Sequence, residues 1–71
     1  MKKYGKILKE ERKIRKLTQT EISKAIGISQ QVISFYENDK AEPTIGIIER
    51  LADLYGITID ELIRHEIKKN W

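Results

Sequence analysis

Side chains able to do covalent chemistry are scarce in this chain of 71 residues. His65 is the only histidine and there is no cysteine, so the usual donors of a zinc site, a thiol nucleophile and a disulfide are all missing. Ser23, Ser29 and Ser34 have no base to activate them, and the acidic residues are dispersed over polar helix positions rather than paired. Gly5, Gly27, Gly46 and Gly56 are isolated and make no phosphate-cradling loop. The chain therefore does not read as an enzyme, and no metal, cofactor or small-molecule ligand is expected. What remains is hydrogen-bonding chemistry, carried by Gln19, Ser29, Gln30, Gln31, Ser34, Asn38 and Thr44.

Charge narrows the partners without choosing one. The net charge of +3 is unevenly spread: residues 1–16 hold eight Lys and Arg against two Glu, leaving six against nine in residues 17–71. The basic block suits phosphates or anionic lipid, and equally a solvated lysine-rich helix face. The length suits one domain, residues 1–71, with a modest core. No apolar run follows Lys2 and Lys3 and none reaches membrane-spanning length, so neither a signal peptide nor a membrane span is expected, and the cytoplasm is the default location.

The elements that position these side chains are all helical. Tyr4, Ile7 and Leu8 place an apolar face on a first helix predicted over residues 3–16. Thr18 and Glu21 form a capping box ahead of Ile22, Ala25 and Ile26, and Gly27 stops that second helix. Ser29 caps a third helix over residues 30–38, with Val32, Ile33 and Tyr36 turned inward and Gln30, Gln31, Ser34 and Phe35 on its other faces. A loop through Pro43 leads to a Thr44 cap and a fourth helix over residues 45–55, whose stripe comprises Ile47, Ile48, Leu51, Ala52, Leu54 and Tyr55 and which ends at Gly56. Thr58 and Glu61 form a second capping box, opening a fifth helix over residues 59–69 that carries Ile59, Leu62, Ile63 and Ile67. No stretch alternates as a strand would, so the expected fold class is all-α, a compact bundle of about five short helices.

One constellation organises these pieces. Leu17, Thr18, Gln19, Ile22, Ser23, Ile26, Gly27, Ile28, Ser29, Gln30, Ile33, Ser34, Tyr36, Glu37 and Asn38 follow one another at fixed spacing, with Lys40, Pro43 and the apolar fourth helix behind them. This pattern resembles the Cro and phage-repressor-like (Xre) helix-turn-helix family, from about Leu8 to Leu62, with the helix-turn-helix over residues 18–38. The resemblance implies a lambda-repressor-like DNA-binding domain acting as a sequence-specific transcriptional regulator, most simply a repressor, on double-stranded DNA with a two-fold operator.

By that resemblance Gln30, Gln31, Ser34 and Phe35 are the base-reading residues. Glutamine can bond adenine N6 and N7 together, serine suits several bases, and an aromatic edge packs against a thymine methyl. Gln19, Ser29, Asn38, Lys40, Thr44 and Arg12 are the implied phosphate contacts, which position the domain without specifying sequence. Out of context, exposed Gln and Ser would only keep a helix soluble, and Thr44 would only be a cap. Arg12 and Glu37 match a pair that joins helix 1 to the end of the recognition helix in such repressors; the alternative is two independent surface charges.

Several positions depart from the family pattern. Ser23 replaces a usual alanine, Glu11 a frequent apolar residue, Ile14 a usual polar one, and Asp39 the common glycine after Glu37 and Asn38. Aspartate can adopt positive φ, although its charge near phosphates should weaken binding slightly.

A homodimer is expected, with residues 59–69 as the dimerisation element. Ile59, Ile63, Ile67 and Trp71 recur every four residues, and Ile63, Ile67 and Trp71 are the candidate contacts across a two-fold axis. Alternatively, the last helix folds back on the first, and Trp71 meets Tyr4 or Ile7. The rival class of function is a protein-interaction module, which calls for more apolar residues on helix 3 than Phe35 alone. Purely non-specific nucleic-acid binding fits poorly, because helix 3 carries no Lys or Arg.

Overall fold

The computed structural model describes residues 4–63. They form five helices: α1 (Gly5–Ile14), α2 (Gln19–Ile26), α3 (Gln30–Glu37), α4 (Ile45–Tyr55) and α5 (Ile59–Ile63). The all-α expectation holds, and among the described residues no helix is long and apolar enough to cross a membrane. The remainder of the expected fifth helix, with His65, Ile67 and Trp71, lies outside the described residues.

Helix starts follow the local sequence. Thr18 Oγ1 accepts from the Glu21 amide at 3.0 Å while Glu21 Oε1 accepts from the Thr18 amide at 2.8 Å. Thr58 and Glu61 repeat this box at 3.0 and 2.9 Å. Ser29 and Thr44 cap α3 and α4 with single hydroxyl bonds. α1 is the exception, since its N-cap Tyr4 makes no side-chain cap bond and its first turn has no acidic residue.

Helix ends share one device at four places. An amide two or three residues past the helix bonds back into the last turn: Leu17 to Arg12 O (3.3 Å), Ile28 to Ser23 O (3.2 Å), Lys40 to Phe35 O (2.8 Å) and Ile57 to Ala52 O (3.0 Å). The residue before each is left-handed, at φ 57° for Lys16, 75° for Gly27, 58° for Asp39 and 69° for Gly56. Glycine takes this conformation freely, whereas a Cβ costs about 1 kcal/mol there, so Lys16 and Asp39 carry strain. Leu17, Ile28 and Ile57 then place an apolar side chain against the core. At the end of α3 the equivalent residue is Lys40, which is exposed.

The core joins Leu8 of α1, Ile22 and Ile26 of α2, Ile33 of α3, Ile48, Leu51 and Ala52 of α4 and Leu62 of α5. Ile22 and Leu62 are its most enclosed large side chains, each contributing about 2 to 3 kcal/mol of apolar burial. α3 packs against α1 and α2, α4 packs against α2, and α5 closes the domain against both α1 and α4. Arg50 on α4 donates to Ile26 O at 2.9 Å, tying α4 to the end of α2.

Three expectations change. α1 is shorter than residues 3–16, because Lys16 turns left-handed and Leu17 returns to the core. Leu54 is not part of the buried stripe of α4 but 42% exposed, and Ala25 of α2 is exposed as well. Among the described residues, both line one open groove between α2 and α4, together with Ile26, Arg50 and Asp53, rather than entering the core.

Candidate nucleic-acid interface

The unit from α2 through α3 is built from short-range bonds. The left-handed Gly27 reverses the chain, Ile28 anchors the turn on the core, and Ser29 starts α3 by accepting the Val32 amide at 3.2 Å. Ser23 is buried in this unit, and its hydroxyl donates to Thr20 O at 2.8 Å, so the polar atom introduced there is satisfied. Only Ile33 of α3 is fully buried among its apolar residues; Val32 and Tyr36 are half-buried.

The opposite side of α3 faces outward. Gln30 and Gln31 in its first turn are exposed, Ser34 is half-buried and Phe35 is 39% exposed. Ser29 is exposed at the N-terminus of α3, where the free backbone amides of a helix start favour an anion. Asn38, the C-cap, turns its amide back on the helix and donates to Ser34 O at 2.8 Å and Ser34 Oγ at 3.2 Å. Lys40 and Thr44 are exposed, and Thr44 also accepts from the Ile47 amide at 3.3 Å.

Arg12 and Glu37 are both buried and meet directly. Arg12 Nε donates to Glu37 Oε2 at 2.7 Å and Arg12 Nη2 to Glu37 Oε1 at 3.0 Å, while Arg12 Nη1 donates to Leu17 O at 2.8 Å. The hydrogen bond to Glu37 outweighs burial and raises the Arg12 pKa above its ordinary value, so the guanidinium keeps its charge at every accessible pH. The independent-charge alternative does not describe this geometry. Three of the five N–H donors of the guanidinium are engaged within the protein and the residue is buried.

Glu37 also reaches the surface. Gln19 Nε2 donates to Glu37 Oε1 at 3.0 Å, and Gln30 Nε2 donates to Gln19 Oε1 at 3.5 Å. One chain of bonds thus runs from Arg12 in α1 through Glu37 at the end of α3 and Gln19 at the start of α2 to Gln30 at the start of α3. These glutamine links escaped the sequence reading, because residues 11 and 18 positions apart become neighbours only after the helices pack.

A second pairing also escaped it. The Gly5 amide donates to Asp39 Oδ1 at 3.0 Å, and a Cβ at Gly5 would sit 2.4 Å from Glu37 O. Glycine is required there by close approach rather than by backbone angle. The only sequence signal was a lone glycine at the start of an otherwise helix-forming segment.

Residues 8–62 match the helix-turn-helix family model. The chain belongs to the helix-turn-helix family. This helix-turn-helix chain is 36% identical over 67 residues to the ImmF control region 10 kDa protein of Bacillus phage phi105, covering 94% of this chain and 74% of that protein. It is 29% identical over 62 residues to the immunity repressor protein of the same phage, covering 87% of this chain and 43% of the repressor. Among solved structures it is similar to the P22 c2 repressor protein in complex with synthetic operator 9T, with a TM-score of 0.76 and 25% identity over 89% of this chain and 96% of that one. The matched span holds α2, α3, Lys40 and Thr44, the segments that carry the outward-facing residues of this helix-turn-helix domain.

Of the expected dimer contacts, Ile63 is half-buried against the core cluster, and the described part of α5 packs on α1 and α4. Ile67 and Trp71 lie outside the described residues.

Proposed function

We propose that this chain is a sequence-specific transcriptional repressor that seats α3 in the major groove of operator DNA. The observation carrying this reading is the exposed first turn of α3, where Gln30 approaches Gln19 at 3.5 Å beside the bonds that join Gln19, Glu37 and Arg12. Gln30, Gln31, Ser34 and Phe35 read bases; Gln19, Ser29, Asn38, Lys40 and Thr44 meet phosphates. Arg12 is assigned to positioning, because it is buried and three of its five donors are engaged by Glu37 and Leu17.

The chain is not an enzyme, needs no cofactor and acts in the cytoplasm, where operator DNA lies. It binds as a homodimer on half-sites one helical turn, roughly 34 Å, apart, since one small domain makes too few contacts for strong specificity. Ile63, Ile67 and Trp71 are assigned to that contact. Selection of bound sites from random duplex DNA tests the reading. A recovered two-fold motif with this spacing supports it; failure to enrich any duplex overturns it in favour of the protein-interaction alternative.

A further inference from the structure

α1 starts without help from its own neighbourhood: Tyr4 makes no side-chain cap and no acidic residue lies in the first turn. The partner comes instead from the far side of the recognition helix. Asp39 accepts the Gly5 amide at 3.0 Å across 34 residues of sequence, bringing a carboxylate to the positive end of α1. The approach is so close that a Cβ at Gly5 would stand 2.4 Å from Glu37 O and 2.9 Å from Asp39 Oδ1.

The same Asp39 is the left-handed residue, φ 58°, that closes α3, and the next amide, Lys40, bonds back to Phe35 O at 2.8 Å. At the three other helix ends of this kind an apolar residue pins the exit to the core, whereas Lys40 is exposed and pins nothing. The end of α3 therefore lacks the anchor its siblings have. The Asp39 side chain, clasped on the α1 amide, stands in that place.

We infer that Asp39 is a positioning residue for DNA binding: with Gly5 it forms a clasp that fixes the exit of α3, and with it the angle at which α3 presents its base-reading side chains as well as the direction in which Asn38 and Lys40 meet phosphates. The inference rests on the DNA-binding reading above. It reverses the expected sign of this position, where a carboxylate beside DNA should merely repel it.

Two substitutions separate the clasp from the charge. Asp39→Asn keeps the Oδ1 acceptor and tolerates the left-handed backbone while losing the charge; Asp39→Gly loses charge and acceptor together but suits the backbone best. Both variants retain a permitted backbone at this turn, and circular dichroism with thermal unfolding checks that each is folded. Binding is measured at one salt concentration to the selected operator and to random duplex. The clasp requires Asp39→Asn to hold the ratio of operator to random affinity near the parent value, and Asp39→Gly to lower that ratio by roughly tenfold. Equal ratios for the two variants, with both binding more tightly than the parent, overturn the clasp and leave simple repulsion. A Gly5 amide that exchanges with solvent no faster in Asp39→Gly than in the parent overturns it as well. If the parent chain itself binds no duplex, the DNA-binding reading has failed, and that result is distinct from either outcome.

Discussion

Arg12 holds both carboxylate oxygens of Glu37 from 25 residues away, with side chains only 11% and 4% exposed. Two charges removed from water contribute little net stability as a pair, but either one left alone is strongly unfavourable. Arg12→Ala and Glu37→Ala should each cost about 3 kcal/mol or more, and the double change should cost clearly less than their sum. A thermal or denaturant double-mutant cycle measures this, and additive losses would show that the pair does not act as one unit.

Lys16 occupies a left-handed backbone position with a Cβ, at φ 57°, where Gly27 and Gly56 serve the equivalent turns. Lys16→Gly should therefore raise stability by about 0.5 to 1 kcal/mol, the strain relief being partly offset by a more flexible unfolded chain. Gly27→Ala should move the other way by about 1 kcal/mol. Urea unfolding of the two variants tests both signs, and a destabilised Lys16→Gly chain would mean the lysine stem contributes more packing than the turn costs.

Tyr55 gives the domain an alkaline limit. Burial pushes its hydroxyl up to about 12 from 10.0; Arg15, 4.2 Å from the ring, and Arg12 oppose the shift while Glu37 and Glu11 add to it. The folded state favours the protonated phenol, so this contribution is whole below pH 10 and is lost as pH rises from 10 towards 12. The loss should amount to roughly 2 kcal/mol after allowance for partial exposure. The comparison with Tyr55→Phe isolates it: the difference in stability between the two chains should change across that window and stay flat between pH 6 and 9.

Base and phosphate contacts predict different signatures. Gln31→Ala should weaken the selected operator by about 1 to 3 kcal/mol and leave random duplex nearly unaffected. Lys40→Ala should weaken every duplex and lower the salt dependence of binding by about one unit of slope. Equal losses for Gln31→Ala on both kinds of DNA would remove it from the base-reading set, as an unchanged slope would remove Lys40 from the phosphate set.

What the amino-acid order determined by itself is a set of helix starts and stops closed within about five residues, though not the equally local end of α1, where a lysine takes the left-handed position that glycine usually marks. The Thr18–Glu21 and Thr58–Glu61 boxes, the Ser29 and Thr44 caps and the glycine stops at 27 and 56 need only neighbours in the chain, and their partners cannot be elsewhere. The apolar period likewise placed Leu8, Ile22, Ile26, Ile33, Ile48, Leu51 and Leu62 in the core. The Arg12–Glu37 pair came from family resemblance rather than from any local pattern. Packing decided the rest. Whether Leu54 and Ala25 are covered depends on how α2 and α4 are set against each other, and among the described residues they line an open groove between the two. Gly5 on Asp39, Gln19 on Glu37 and Arg50 on Ile26 O join residues 34, 18 and 24 positions apart. Such contacts have no periodicity of their own, because they exist only where the core has already set two helices at one angle and one distance.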